Sequence, residues 1–230
     1  MVRGVIFDVD GVLFDTEVLE MQCAKIIAEK MGLCLKDDIF IDSCSATNEV
    51  YENRLKKEFG EAFDFEYFNR EVYRLMDESI GKYGIPVKEG VYRLLTFLKV
   101  NKIKAAIASS SSKSRVLWYL SKSNLTQYFD SICCGDMVMW SKPFPDVYQA
   151  AAASLGLPVN ECLAIEDSRN GIISAVTAGC ITIMVPDITP VDETIWSMCF
   201  GVLDSLDNVS EVITYINQDA IMDESSTTII

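Results

Sequence analysis

The 230-residue sequence contains no histidine. That absence removes Ser-His-Asp and Cys-His catalysis, phosphohistidine chemistry and the usual zinc ligand sets, so acid–base work falls to carboxylates, lysine or tyrosine. No Cys-x-x-Cys pair occurs among the eight cysteines. Cys23, Cys133 and Cys162 lie inside apolar periodic segments and read as reduced, buried thiols rather than as a disulfide framework. Apolar runs of the roughly 18 residues that a membrane span needs are missing, as is a leader with a cleavage site, and the expectation is a cytoplasmic protein. Positive charge is scarce: 20 Lys and Arg stand against 34 Asp and Glu, a formal net charge of -14. Nucleic acid and membrane surface are therefore not expected as partners, because both are polyanions bound through basic surface. A phosphorylated small molecule would be repelled at long range too, unless a divalent cation and local basic groups reverse the sign.

Apolar material makes up half of the chain, enough for one sizeable core and a smaller accessory unit. The clearest signal comes at the start. Val5-Ile6-Phe7 is a β-branched and aromatic run, and Asp8-Val9-Asp10-Gly11 directly after it marks the end of a buried strand. Two carboxylates thus emerge at the strand's carboxyl end, where open α/β sheets place their ligands. A regular strand would turn Asp8 and Asp10 to opposite faces, and Gly11 permits the local break that brings both into one pocket. A solvated turn fits the same residues. A helix-loop-helix calcium site does not, since its position 12 requires Glu and falls here on Leu19.

Residues 16–85 carry helical spacing and no strand signal. Leu19, Cys23, Ile26 and Ile27 share one face of a helix over 16–31 that Gly32 closes. Further helices are expected over about 47–59 and 64–80, the latter with Phe65, Phe68, Val72, Leu75 and Met76 on one face as this segment's own core. Gly84-Ile85-Pro86 marks a return hinge. From Lys88 the pattern alternates, with helices near 91–98, 116–120, 147–155 and 172–179 and strands near 103–108, 131–134, 162–165, 181–185 and 198–203, before a last helix over 209–216. The expectation is a doubly wound parallel α/β sheet, Rossmann-like, from residues 1–15 and 86–217, with an inserted all-helical cap at 16–85 and a loose tail at 218–230.

Polar groups stand at the ends of successive strands. Asp8 and Asp10 follow the first and Ser109-Ser110-Ser111-Ser112 the second; Ser141-Lys142-Pro143-Phe144-Pro145-Asp146 comes after the third and Glu166-Asp167-Ser168 after the fourth. Parallel strands present the same end to one rim, so these groups should converge. Separately each has a bland reading: Ser109 as a helix cap, Lys142 as a surface lysine, Glu166 and Asp167 as a turn. Against these, Pro143 and Pro145 restrict the Lys142 loop, and two adjacent acids after an apolar strand repel without compensation. Asp15 reads as structural, at the start of the first inserted helix.

The ordered set of Asp-x-Asp-Gly, a helical insertion, Ile-Ala-Ser, Ser-Lys-Pro-x-Pro-Asp and Glu-Asp-Ser resembles the haloacid dehalogenase (HAD) superfamily, in the branch of β-phosphoglucomutase and phosphoglycolate-type phosphatases. The likeness covers nearly the whole chain except the tail. It implies a Mg2+-dependent phosphatase acting on a small phosphorylated metabolite, such as a sugar phosphate, through an aspartyl-phosphate. It implies Asp8 as nucleophile and Asp10 as general acid and base, with the Asp10 backbone carbonyl on the metal. Asp8, Glu166 and Asp167 become the other metal ligands. Ser109, helped by the backbone N–H groups of Ser110 and Ser111, would bind the phosphoryl group, and Lys142 would neutralise it and Asp8. Asp10 separates the chain from dehalogenases proper, which lack an acid there. The alternative is a phosphosugar mutase. Family mutases hold a second phosphate with basic residues and a glycine in a cap loop, and carry a histidine on the first cap helix. The matching loop at 42–49 has no Gly, Lys or Arg, and Glu20 stands in the histidine's place. A non-catalytic binding protein on this scaffold would not require every one of these positions. The oligomeric state is not legible in the sequence, and a monomer is compatible with it.

Overall fold

The computed structural model describes residues 1–41, 48–188 and 190–226, with side chains as far as residue 219. Strands β1 (Gly4–Phe7), β2 (Lys104–Ser109), β3 (Ser131–Cys134), β4 (Cys162–Glu166), β5 (Ile181–Met184) and β6 (Gly201–Val202) form one parallel sheet in the order β3-β2-β1-β4-β5-β6. The helices are α1 (Thr16–Lys30), α2 (Asp37–Ile41), α3 (Asn48–Phe59), α4 (Phe65–Tyr83), α5 (Val91–Val100), α6 (Lys113–Ser123), α7 (Asp146–Leu155), α8 (Arg169–Ala178), α9 (Glu193–Met198) and α10 (Val209–Ser226). The doubly wound α/β fold is thus as expected. No helix among the described residues is long and apolar enough to cross a membrane.

The strands are apolar on both faces because both faces are covered. Alternation sorts their side chains: Val5, Phe7, Ala105, Ile107, Leu163 and Ile165 join the core beneath α5, α6 and α10, whereas Ile6, Ala106, Ala108 and Ala164 point the other way. That second face is alanine-rich, and Ala151 and Ala152 of α7 pack on it. β1 lies centrally, with Phe7 in register with Ile107 and Ile165, so its end and those of β2 and β4 share one rim.

Helices α1 to α4 bury a separate apolar cluster that includes Ile27, Leu55, Phe68, Val72 and Met76. The chain enters and leaves this layer through two paired linkers. Asp15 N–H donates to Pro86 O and Lys88 N–H to Leu13 O, both at 3.0 Å, while the Lys88 ammonium bridges Asp15 (3.2 Å) and Asp187 (2.6 Å). Asp15 sits at the α1 N-cap without capping it, its carboxylate turned to Lys88.

Three expectations differ. α2 and α9 have no counterpart among the expected elements; both are single short turns of helix, too brief for a 3.6-residue period to register, and α9 is signalled only by Asp192 accepting from Ile195 N–H at 2.8 Å. The last strand is confined to Gly201–Val202, because Met198 ends α9. The final helix runs to Ser226, where a loose tail was expected from residue 218. The loop at 42–47 lies outside the described residues.

Candidate active site

Asp8 follows β1 but stays in the sheet, its N–H donating to Ile165 O at 3.0 Å. The chain then doubles back: Leu13 and Phe14 N–H donate to Val9 O at 3.0 and 3.1 Å, and Gly11 N–H to Phe14 O at 2.9 Å. Gly11 takes φ 79°, and a Cβ there would lie 2.2 Å from Asp167 Oδ2, so no other residue fits the reversal. Its result is that Asp8 and Asp10 line one cavity of about 640 Å3 between the strand ends and the α1–α4 layer. Asp10 is held by two hydroxyls, Thr16 Oγ1 at 2.6 Å and Ser111 Oγ at 2.9 Å.

Lys142 joins the buried charges. Its ammonium donates to Asp8 Oδ1 and Glu166 Oε1, each at 2.5 Å, and lies over the Tyr148 ring. The fully buried Glu166 also accepts from Tyr148 OH at 2.6 Å and Ser168 Oγ at 3.2 Å. Gly171 leaves the room for this carboxylate, which a Cβ would meet at 2.0 Å. Burial pushes the Asp8 carboxyl up to about 7, with Lys142 acting in the opposite direction. For Lys142 burial opposes the charge, but Asp8 and Glu166 outweigh it and raise its pKa above the ordinary lysine value.

Asp8, Glu166 and Asp167 bring one carboxylate oxygen each within 4.8 Å of one another. Lys142 compensates the first two. Both oxygens of Asp167 are buried with no hydrogen-bond partner, and burial, then Glu17, Asp8 and Glu166, drive its pKa well up. An orphaned buried carboxylate in an all-oxygen donor set fits a hard divalent cation such as Mg2+.

The model of the haloacid dehalogenase-like hydrolase family matches residues 5–185. The chain belongs to this family. Among its HAD relatives is a Thermotoga maritima protein named phosphorylated carbohydrates phosphatase, 30% identical over 179 residues that cover 77% of this chain and 82% of that one. The β-phosphoglucomutase of Bacillus subtilis is 30% identical over 198 residues, covering 80% and 83%. The solved structure of CbbY from Rhodobacter sphaeroides in complex with phosphate matches with a TM-score of 0.75 at 25% identity, over 91% of this chain and 96% of that one. The chain is therefore a HAD enzyme of the phosphatase and phosphosugar type.

Every residue singled out in the sequence for this HAD site reaches the same region. Asp8, Asp10, Ser109, Ser110, Lys142 and Asp167 line the cavity, and Glu166 stands behind Lys142. Ser109 Oγ accepts from Ser111 N–H at 3.0 Å, which leaves the Ser109 proton available to another acceptor. Ser111 accordingly does not present the free N–H expected of it; its hydroxyl serves Asp10 instead. Helix α6 begins only at Lys113, capped by Ser112, so Ser110 and Ser111 precede the helix. Sequence reasoning missed Thr16, Tyr148 and Glu17, and named Glu20 only as a departure from the mutase pattern. Thr16 adjoins the first motif and was open to recognition. Tyr148 sits in an apolar helical stripe, where its ring announces core and its hydroxyl announces nothing. Beyond these, Arg169 pairs with Asp192 at 2.8 Å, and Asn170 lines the cavity.

Proposed function

We propose that this HAD chain is a Mg2+-dependent phosphatase that releases phosphate from a small phosphorylated metabolite, a sugar phosphate being the favoured type, through a phosphoryl group carried on Asp8. Residues 16–85 act as its cap. The observation that carries this reading is the division of labour between two neighbouring carboxylates: Asp8 is anchored by an ammonium, and Asp10 by two neutral hydroxyls. The ammonium draws Asp8 toward the ionised form that a nucleophile needs, against the burial that raises its carboxyl, and the hydroxyls aim Asp10 into the cavity, where it can pass a proton to a ligand.

With Asp8 Oδ1 on Lys142, the other oxygen is left to attack phosphorus. The bond from phosphorus to the leaving oxygen breaks as that oxygen takes a proton from Asp10. Asp10 then accepts a proton from water, whose oxygen attacks phosphorus and releases Asp8 and inorganic phosphate. The Ser109 hydroxyl and Lys142 hold the equatorial oxygens, where charge develops. Asp8, Asp10 through its backbone carbonyl, Glu166 and Asp167 would hold Mg2+. When bound, the ion supplies the positive charge that lets an anionic carboxylate approach an anionic phosphate.

A mutase must grip a second phosphate, and among the described residues the cations lining the cavity are Lys142, engaged with Asp8 and Glu166, and Arg115, engaged with Asp77. That favours hydrolysis. Phosphate release from a panel of sugar phosphates, phosphoglycolate and nucleoside monophosphates, with Mg2+ and after chelation, tests the reading. Release that vanishes on chelation is expected. Conversion of β-glucose 1-phosphate to glucose 6-phosphate without phosphate release, given a trace of the bisphosphate, would make the enzyme a mutase.

A further inference from the structure

The mechanism uses the inner half of the cavity and leaves its outer half without a role. That outer wall comes from α1, α3 and α4, with Arg115 of α6 at its edge. Its charges are one-sided. Glu20 faces the cavity with no hydrogen-bond or ion-pair partner among the described residues, whereas Glu17 of the same helix turns inward, its carboxylate within 4.8 Å of those of Asp167 and Asp187. Arg115 offsets Glu20 only in part, because its guanidinium bonds Asp77 and lies 5.4 to 5.6 Å from the rings of Tyr73, Trp118 and Tyr119. Phe40, Asn48 and Tyr51, which line the same wall, carry no charge.

We infer that Glu20 is a specificity-determining residue, which accepts a hydroxyl of an uncharged, polyhydroxylated leaving group and turns away substrates with a second anionic group beyond the phosphate. The inference rests on the phosphatase reading and deepens it. A carboxylate held away from bulk water without a donor is costly, and a leaving group rich in O–H donors supplies what the protein withholds. Phe40 and Met76 offer the carbon skeleton apolar contact. A distal carboxylate or second phosphate would instead meet Glu20 in a partly desolvated space. Like charges at such separations, at an effective dielectric of about 20, disfavour binding by on the order of 10- to 100-fold.

Sorbitol 6-phosphate and 6-phosphogluconate test this directly, because they share a skeleton and differ in whether the far carbon is an alcohol or a carboxylate. Burial and Asp10 push the Glu20 carboxyl up to about 7, so the comparison belongs at pH 8, with p-nitrophenyl phosphate as reference. The full-length enzyme should favour sorbitol 6-phosphate at least about tenfold in kcat/KM, and Glu20→Gln should shrink that ratio toward one while Glu20→Lys inverts it. The ratio cancels any general loss of folded protein, and the wild-type ratio needs no variant. Mg2+-dependent hydrolysis of p-nitrophenyl phosphate with equal use of the two sugars would overturn the role of Glu20 and leave the phosphatase standing. A tenfold preference for glucosamine 6-phosphate over glucose 6-phosphate would also overturn it, since the pocket would then select a cation. No hydrolysis of any of these would overturn the phosphatase reading beneath it.

Discussion

The α/β sheet and the helical layer treat their polar groups in opposite ways. At the strand ends the acids are tied down: Asp8 and Glu166 share Lys142, Glu166 has Tyr148 and Ser168 besides, and Asp10 has two hydroxyls. On the facing wall Glu20 has no hydrogen-bond or ion-pair partner among the described residues. Groups that do the same chemistry on every substrate profit from being fixed before it arrives. Groups that select a substrate must keep bonding capacity for it. Asp167 is the exception on the sheet side, and its two free oxygens face the place of the proposed metal.

The contrast can be broken from either side. Asp8→Asn removes the nucleophile and should lower kcat by about four orders of magnitude or more on every substrate; retained turnover in a phosphate-release assay would remove Asp8 from the chemistry. Leu55→Ala hollows the helical layer's core, where Leu55 is fully buried, and should cost about 2–5 kcal/mol in denaturant unfolding. At low temperature, with that variant still folded, KM for sugar phosphates should change more than kcat. Gly171→Ala drives a methyl group into Glu166 and should weaken Mg2+ binding, read by calorimetry, by about 10- to 100-fold. The smallest effect is on pH dependence. Burial pushes Glu17 up to about 8 and Asp8 up to about 7, above their unfolded values. Protonation therefore favours the folded state: the chelated protein should melt higher at pH 6 than at pH 9, losing stability as pH rises through 7 to 8. Added Mg2+ should oppose that trend, since it binds the ionised carboxylates.

The sheet was legible in the sequence for the reason that makes it a sheet. Its strands are short apolar runs bounded by polar residues, and a residue at a strand's carboxyl end is placed by that fact alone, which is why Asp8, Ser109 and Asp167 could be named together; Lys142, in the loop well beyond the end of β3 at Cys134, needed the restraint of Pro143 and Pro145 as well. The turn after β1 was legible through Gly11. Less was legible where a residue's partner comes from a distant element. Nothing near Tyr148 in the chain points to Glu166, and nothing near Ser111 says that its hydroxyl will serve Asp10 rather than its N–H a ligand. Glu20 stood out in the sequence only as a departure from the mutase pattern. Its exposure to the cavity depends on how α1 packs on α4, a matter of tertiary packing.

The most direct test of the account uses Asp10→Asn with p-nitrophenyl phosphate and Mg2+. This leaving group departs as a stable anion and needs no proton from Asp10, whereas the water that follows does need a base. The account predicts a burst of about one equivalent of p-nitrophenol, slow turnover after it, and a phosphoryl group on the peptide bearing Asp8 when the enzyme is quenched in acid and analysed by mass spectrometry. Steady turnover at the wild-type rate with no burst, or a phosphoryl group on any other residue, would contradict it.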